Sequence, residues 1–288
     1  MTELLVKNQV DECEQKEVIP VDADDGEKKK ESESVAEIKQ ENKPFDLDKT
    51  AVIFGQSEED IGKEFKAFKA AKLFKRVDVD LTAVRDNLLL KQKVEECVKF
   101  GFGNVVVNPK QIRYAKRFLK GRKVGVFAAV CYPYGEELFG VKRYAVKRAF
   151  KEGADGVYLP LSIADLKSGK VEQIKRELTK TVKRYKRKKI FIVLEIGELN
   201  FSHTEKIVKL LLKTKITGIV SGTGFSTCKK PFSGASDLHS LSSGKRAVVA
   251  CTNTDKSRDV VSLFSVADRV FLKNAPKIAL DLRANLEY

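Results

Sequence analysis

Long apolar runs are missing from this sequence. Its 288 residues are 42% hydrophobic, yet stretches such as residues 190–194 are far shorter than a membrane span, which needs about 20 apolar residues. The N-terminal MTELLVKNQVDEC has no long apolar stretch behind basic residues, as a secretory signal peptide would. We therefore expect no membrane-spanning helix, no signal peptide and a cytoplasmic protein without a membrane partner.

Cysteine and histidine are scarce as well. The five cysteines are scattered and never form a CxxC pair, and His203 and His239 are the only histidines. This pattern excludes a disulfide framework and a zinc site of the usual spacing, and it is typical of a reducing compartment. We predict no metal site and no cofactor, with both histidines at the surface or in helix caps.

Charge is distributed unevenly along the chain. Residues 1–49 contain 15 Asp or Glu and 8 Lys, a net charge of −7, whereas residues 50–288 carry a net charge of +22. The first segment has no aromatic residue before Phe45 and no sustained hydrophobic period, so it lacks the apolar surface that offsets the entropy of folding. We predict a disordered acidic N-terminal tail at 1–49. It is either a solvated extension or an arm that lies against the basic remainder.

After residue 50, short apolar runs alternate with amphipathic helical stretches. One such stretch places apolar residues at Val171, Ile174, Leu178 and Val182, a spacing that puts them on one face of a helix. Buried strands followed by such helices indicate βα units of a parallel sheet. The apolar runs are centred on residues 77–81, 104–107, 124–130, 157–161, 190–194, 216–220, 247–250 and 270–272.

Eight βα units in residues 50–288 match the usual length of a (β/α)8 barrel, the TIM barrel. An open doubly wound sheet would show a glycine-rich phosphate turn after its first strand, and none follows Leu81. We therefore predict an α/β fold with one TIM barrel at 50–288. A leading helix at about residues 52–75 is expected to cover the lower end of the barrel.

Six motifs together resemble the deoxyribose-phosphate aldolase family. They are VDLTAV around Asp80, FGNVVVNPKQI, VCYPYG at 130–135, EGADGVYLPLSIADLKSG at 152–169, IVLEIGELN at 192–200 and GIVSGTGFST at 218–227. They follow the family's order and spacing over residues 77–237. The resemblance implies an aldolase-type TIM barrel and a class I aldolase. Such an enzyme forms a Schiff base through a lysine and reversibly cleaves 2-deoxyribose 5-phosphate into acetaldehyde and glyceraldehyde 3-phosphate.

The residues that carry this chemistry in the family are replaced. The position of the Schiff-base lysine is Val220, that of the assisting lysine in the seventh strand is about Val249, and that of the fourth-strand aspartate is Tyr158. A Schiff base needs an amine, and a phenol with a pKa of about 10 is a poor proton shuttle at neutral pH. We predict a catalytically degenerate family member with a binding, regulatory or scaffolding role.

The turn after the sixth predicted strand is the candidate substrate site. Gly222, Thr223 and Gly224 are expected to present backbone N–H groups to a sugar phosphate or another anion at the barrel mouth. The glycine turn that the family has after strand seven is replaced by CTNT at 251–254, and the serine-rich turn after strand eight by KNAP at 273–276. The implied phosphate site is therefore eroded.

An alternative hypothesis is an active lyase with altered catalytic residues or an altered substrate. Lys273, just past strand eight, is the best-placed replacement amine, and Glu195 matches a family position at the end of strand five. Cys131 is a possible thiol nucleophile, although a free cysteine is more often a small core residue. Three further lysines lie in loops expected at the mouth: Lys167, Lys229 and Lys230.

A second alternative is a nucleic-acid-associated protein. Helical stretches at 110–123, 142–151 and 170–189 are dense in Lys and Arg, and a bound polyanion would release counterions. No nucleic-acid-binding motif is present, so the charge predicts only weak polyanion binding. The oligomeric state is left open. The aromatic residues of these stretches are expected to pack on the strands: Tyr114, Phe118, Tyr144, Phe150 and Tyr185.

Overall fold

The computed structural model describes residues 70–226 and 230–284. The predicted acidic tail at 1–49 lies outside the described residues. So does most of the predicted leading helix at about 52–75, of which only residues 70–74 are described, as helical.

Eight parallel strands form a closed barrel in the order β1 to β8. β8 pairs with β1, with Val79 in register with Leu272. This confirms the predicted TIM barrel, and each predicted apolar run overlaps one strand. The strands are β1 (Val77–Asp80), β2 (Asn104–Val107), β3 (Gly125–Ala129), β4 (Gly156–Pro160), β5 (Lys189–Val193), β6 (Gly218–Val220), β7 (Ala247–Thr252) and β8 (Arg269–Leu272).

Helices follow the strands around the outside of the barrel. Local signals set their ends, as in α1 (Asn87–Phe100), where the Asp86 side chain accepts a hydrogen bond from the Leu89 N–H and Gly101 ends the helix with a φ of 76°. Short 3-10 helices at Pro109–Gln111 and Ile196–Glu198 precede α2 (Ile112–Phe118) and α6 (Phe201–Leu212). The helices are α1 (Asn87–Phe100), α2 (Ile112–Phe118), α3 (Phe139–Lys151), α4 (Ile163–Lys167), α5 (Val171–Arg184), α6 (Phe201–Leu212), α7 (Pro231–Ser242), α8 (Ser257–Leu263) and α9 (Ala275–Ala284).

The apolar residues form two cores. One lies between the outer face of the sheet and the helices, and the other, the interior cluster, fills the barrel itself. The rings of Phe127, Tyr158 and Phe191 pack on one another there, with centroid distances of 5.4 to 5.9 Å. The barrel is therefore a packed core and not a channel. The interior cluster consists of Val106, Phe127, Ala129, Tyr158, Phe191, Val193, Val220, Val249 and Phe271.

A fully buried carboxylate lies among these apolar side chains. Asp78 on β1 pairs with Arg269 on β8, with 3.0 and 3.1 Å between the Arg269 Nε and the two Asp78 oxygens. The Tyr158 hydroxyl donates to Asp78 Oδ2 at 2.5 Å, and Asn104 Nδ2 donates to Oδ1 at 2.6 Å. A buried charge is tolerated when it is paired and hydrogen-bonded in this way. These four residues join β1, β2, β4 and β8 from the inside.

Two of the aromatic residues expected to pack on the strands do not do so. Tyr114 is 41% exposed and Tyr144 is 63% exposed, whereas Phe118, Phe150 and Tyr185 pack against the core. In α3 the buried positions include Lys142 and Val146, and Tyr144 lies midway between them. It therefore falls on the opposite face of the helix, because residues two apart do not share a face.

The buried ion pair gives a stability prediction. Arg269→Met is expected to lower the free energy of unfolding by roughly 3 kcal/mol, because it leaves the Asp78 charge buried without its partner. Adding Asp78→Asn should recover part of this loss, since the charge is then gone. Urea denaturation of the three proteins measures both effects.

A surface ion pair supplies the matched control. Lys209 pairs with Glu205 one turn away on α6, and both side chains are at least partly exposed. Lys209→Met should therefore cost about 0.5 kcal/mol or less. Equal losses for Arg269→Met and Lys209→Met would contradict the role assigned to the interior pair.

Candidate binding site at the barrel mouth

The two positions at which the resemblance implies lysines carry no amine. Val220 ends β6, Val249 lies next to it on β7 in register, and both are completely buried. Both side chains belong to the interior cluster, where Val193 and Phe191 from β5 also pack. Hydrocarbon therefore occupies the part of the barrel where a Schiff-base lysine would stand in the family.

Tyr158, at the position of the family's aspartate, turns away from the mouth. Its hydroxyl donates to Asp78, which lies toward the start of β1 and hence toward the opposite end of the barrel. Complete burial, with the Asp78 charge beside it, raises the pKa of the Tyr158 phenol well above its ordinary value. The phenol stays protonated and does not face a ligand at the mouth.

Asp80 is a carboxylate at the mouth, and the sequence analysis did not predict it as a site residue. It ends β1, is nearly inaccessible, and accepts a hydrogen bond from the Thr82 N–H at 2.8 Å. Burial raises the pKa of Asp80, while hydrogen bonds from Thr82 and, to a smaller extent, the positive charge of Lys273 partly offset this increase. The VDLTAV motif was the available signal, because a charged residue within a buried strand run indicates a functional or paired position.

Lys273 lies against an aromatic pair at the mouth. Its Nζ is 4.2 Å from the centroid of the Phe225 ring, and that ring meets Tyr132 edge-on at 5.7 Å. The Tyr132 hydroxyl in turn donates to the Thr223 carbonyl at 2.6 Å. Burial, followed by the nearby Cys251, Asp80 and Glu195, raises the pKa of Tyr132, so it remains a neutral donor. These contacts tie together the loops that follow β3, β6 and β8.

Glu195 is bound at both oxygens by Thr223 of the next loop. Oε1 accepts from the Thr223 N–H and Oε2 from the Thr223 hydroxyl, each at 2.7 Å. Burial raises the pKa of Glu195, and the two hydrogen bonds from Thr223 oppose that increase. A Cβ at Gly222 would lie 2.7 Å from Glu195 Oε1, so a larger residue there would force the Glu195 carboxylate to shift.

The predicted anion-binding turn is therefore hydrogen-bonded to other groups of the protein. The Thr223 N–H and hydroxyl are used by Glu195, and its carbonyl by Tyr132. Asn253 Nδ2 donates to the Gly224 carbonyl at 2.8 Å, and Gly224 has a φ of 76°. The structure thus places Gly222, Thr223 and Gly224 beside Glu195, but the Thr223 amide has no free N–H for a ligand.

A cavity of about 280 Å³ opens beside this turn. Its wall is rich in hydroxyl groups, and Lys230 contributes an exposed ammonium group. Such a lining suits a small polar ligand with an anionic group. The lining residues are Glu195, Gly197, Ser221, Gly222, Gly224, Ser226, Lys230, Pro231, Cys251, Thr252, Asn253 and Thr254.

The remaining sequence candidates are dispersed. Lys167 pairs with Glu198, 3.1 Å apart, and Lys229 lies outside the described residues. Cys131 is half-buried, and burial raises the pKa of its thiol to about 12, so it is not a thiolate at neutral pH. His203 lies in the first turn of α6, and His239 is exposed near the end of α7.

Two further features of the described residues concern membranes and metals. Across residues 70–226 and 230–284, the helices are too short or too polar to cross a membrane. Over the same ranges, His, Cys, Asp and Glu side chains do not gather in any group of three that could hold a metal ion.

Deoxyribose-phosphate aldolases are similar to this chain in sequence. The enzyme from Caldicellulosiruptor saccharolyticus is 28% identical over 154 residues, which cover 51% of this chain and 70% of that one. The enzyme from Clostridium botulinum is 33% identical over 134 residues, which cover 46% of this chain and 63% of that one, less than two thirds of its length. No family model matches the chain.

Solved structures share the fold. The deoxyribose-phosphate aldolase of Aeropyrum pernix superposes with a TM-score of 0.68 at 18% identity, covering 81% of this chain and 99% of that one. The aldolase QR15 superposes with a TM-score of 0.70 at 20% identity, covering 74% of this chain and 96% of that one. In sequence, the chain is similar to deoxyribose-phosphate aldolases. The similarity supports the resemblance found in the motifs, and the structures agree with the aldolase-type barrel.

Glu195 gives the aldolase-like site a testable pH dependence. Its pKa is raised in the folded chain, so its contribution to stability is complete below the ordinary Glu value of about 4.3 and is lost as the pH rises through the raised value. Glu195→Gln removes the titrating carboxyl group, so the variant does not lose this stability as the pH rises. The free energy of unfolding of the variant, relative to the unmodified protein, should therefore increase as the pH rises from about 4 to 7.

Glu198 is the matched control because its pKa is shifted the other way. Hydrogen bonds from Ser226 and Lys167 lower the pKa of Glu198, so its contribution is present above the ordinary value and lost as the pH falls through the lowered one. Relative to the unmodified protein, Glu198→Gln should become less stable as the pH rises. Urea denaturation between pH 3 and 7 measures both, and parallel profiles for the two variants would disprove the assignment.

Proposed function

We propose that this protein is a deoxyribose-phosphate aldolase-like barrel that no longer cleaves its substrate and instead binds a small anionic ligand at its mouth. Its role is then regulatory or scaffolding. The observation that carries the proposal is the pair Val220 and Val249, which occupies the two implied lysine positions with buried hydrocarbon.

The chemistry of the mouth supports the loss of cleavage. A Schiff base forms through a neutral amine, which an enzyme obtains by burying a lysine or placing it beside another cation. Lys273 lies over the Phe225 ring in a cation–π contact, with its Nζ 4.2 Å from the ring centroid. Lys230 is exposed, so it lacks the burial that such an amine needs. Tyr158, at the position of the aspartate, stays protonated and bound to Asp78.

The cavity supports retained binding of an anion. Lys230 and the hydroxyl groups of Ser221 and Thr252 line the cavity. These two hydroxyls accept hydrogen bonds from the N–H groups of Cys251 and Thr254, so each can donate its own proton to a phosphate. Glu195 shares the cavity, but both of its oxygens accept hydrogen bonds from Thr223. This reduces its repulsion of an anion.

One observation favours a second candidate, an active lyase with relocated residues. Lys273 is close enough to Asp80 for its charge to lower the pKa of that buried carboxylate. An amine and a carboxylate at the mouth are the two groups that aldol cleavage through an imine requires. In this candidate, Lys273 forms the imine and Asp80 transfers the proton.

Acetaldehyde release from 2-deoxyribose 5-phosphate distinguishes the two candidates. The protein is prepared from a host without its own aldolase and assayed at high concentration beside a Lys273→Met variant, with the Clostridium botulinum aldolase as positive control. We expect no turnover and no lysine adduct after borohydride reduction. Turnover that is lost in Lys273→Met, with a borohydride-trapped peptide containing Lys273, would establish the lyase instead.

Calorimetric titration with the same sugar phosphate tests the binding role. We expect saturable binding that weakens about fivefold in Lys230→Gln, because a charge-assisted hydrogen bond to the phosphate is lost. Lys245→Gln removes an exposed lysine elsewhere and should leave the affinity unchanged. Absence of binding at millimolar 2-deoxyribose 5-phosphate and at millimolar inorganic phosphate would contradict an anion site at the mouth.

A further inference from the structure

Ion pairs neutralise the basic surface unevenly. Next to α2, Glu152 pairs with Arg113 and Arg148, and Asp155 pairs with Lys116. The cations that begin the third basic stretch are paired too, since Lys170 contacts Asp165 at 2.9 Å and Lys175 contacts Glu172 at 3.1 Å. The charge density of the sequence is therefore a poor guide to where positive potential remains.

Unneutralised cations converge between α3 and α5. There a cavity of about 260 Å³, here called the α3–α5 groove, is lined by three cations, two tyrosines and, among the described residues, no acidic one. Arg143, Lys147 and Arg184 form no ion pair with any other residue that the structure describes. The lining residues are Gly140, Arg143, Tyr144, Lys147, Thr181, Arg184 and Tyr185.

The segment that leaves the groove continues its charge. Residues 183–189 read KRYKRKK, and all of the cations in this run are exposed. Tyr185 in its middle is fixed, because its ring packs on Phe150 with a centroid distance of 5.0 Å, while Lys188 Nζ lies 5.6 Å from the same Phe150 ring. The groove and this segment together form a basic strip across the outside of the barrel.

The groove also offers aromatic surface. Tyr144 is 63% exposed although it lies on a helix whose other face packs on the strands, and Tyr185 lines the same cavity. Clustered Arg and Lys bind phosphate oxygens, and an exposed aromatic ring accepts a stacked base. A chain of acidic residues alone would use the cations but would have no ring to stack on Tyr144. A duplex keeps its bases stacked inside.

We propose that the α3–α5 groove is a binding site for single-stranded nucleic acid. Arg143, Lys147 and Arg184 contact consecutive phosphates, Tyr144 stacks with a base, and the 183–189 segment holds the strand as it leaves. This goes beyond the proposed function, because the groove lies on the outer helices and shares no residue with the cavity at the mouth.

Fluorescence anisotropy with labelled 20-nucleotide oligo(dT) and oligo(U) tests the site on the full chain. We expect a saturable complex at about 150 mM salt. The triple variant Arg143→Gln, Lys147→Gln, Arg184→Gln should weaken binding at least tenfold. It should also reduce the slope of log Kd against log salt by about 2, since each phosphate contact contributes about 0.7 to that slope. Tyr144→Ala should weaken binding about fivefold or more without changing that slope.

A charge-matched control separates the site from net charge. Lys99, Lys245 and Arg258 are exposed and lie in or beside helices α1, α7 and α8, on other sides of the barrel. The triple variant Lys99→Gln, Lys245→Gln, Arg258→Gln should change Kd less than twofold. Equal weakening by the two triple variants, or loss of all binding below 150 mM salt, would overturn the proposal.

Competition identifies the class of ligand. Oligo(Glu) of the same charge as the oligonucleotide should displace it poorly. Deletion of residues 1–49 should leave Kd within about threefold, because the net charge of −7 in that segment is largely screened at about 150 mM salt. Displacement by oligo(Glu) at equal concentration would assign the groove to an acidic peptide. A large gain in affinity on deletion of residues 1–49, absent when the groove triple variant carries the same deletion, would assign the groove to the protein's own N-terminal segment.

Discussion

The buried carboxylate of Asp78 constrains most of the barrel interior. A charge removed from water must be paired and hydrogen-bonded, and here Arg269, Tyr158 and Asn104 supply the partners from three other strands. Arg269 stands on β8, so the ion pair crosses the seam at which the barrel closes. Tyr158 reaches Asp78 from β4, and its ring fills the centre of the interior cluster between Phe127, Phe191 and Phe271.

This arrangement connects stability to the proposed loss of aldol cleavage. In the aldolases that the chain resembles, the position of Tyr158 carries a proton-transfer aspartate, and here its side chain completes an internal network. The mouth is organised in the same way, since Glu195 binds Thr223 and Tyr132 binds the Thr223 carbonyl. Polar groups that would face a substrate bind one another across neighbouring loops. What remains open is the cavity between the loops after β5, β6 and β7.

The sequence was informative where the signal was local or periodic. Apolar runs located the strands, and the spacing of Val171, Ile174, Leu178 and Val182 matched α5, in which three of them are buried and Val171 packs against the core. The network around Asp78 was not predictable, because its partners lie up to 191 positions away along the chain. Tyr144 was predicted to pack on the strands because it lies among apolar residues, but it is two positions from both Lys142 and Val146 and therefore lies on the opposite face of α3.

The interior also opposes restoring, by a single substitution, the catalytic residues that the resemblance implies. A lysine introduced at Val220 would be surrounded by Val193, Val249 and Phe191, and burial would lower its pKa, as a Schiff-base amine requires. The aspartate that the resemblance implies would still be missing, since Tyr158 is bound to Asp78 and cannot be replaced without leaving Asp78 one donor short. Aspartate at that position would place a second carboxylate close to the first. Restoring the implied lysine and aspartate together therefore requires coordinated changes on β1, β4 and β6, and the stability of the barrel interior opposes the intermediate steps.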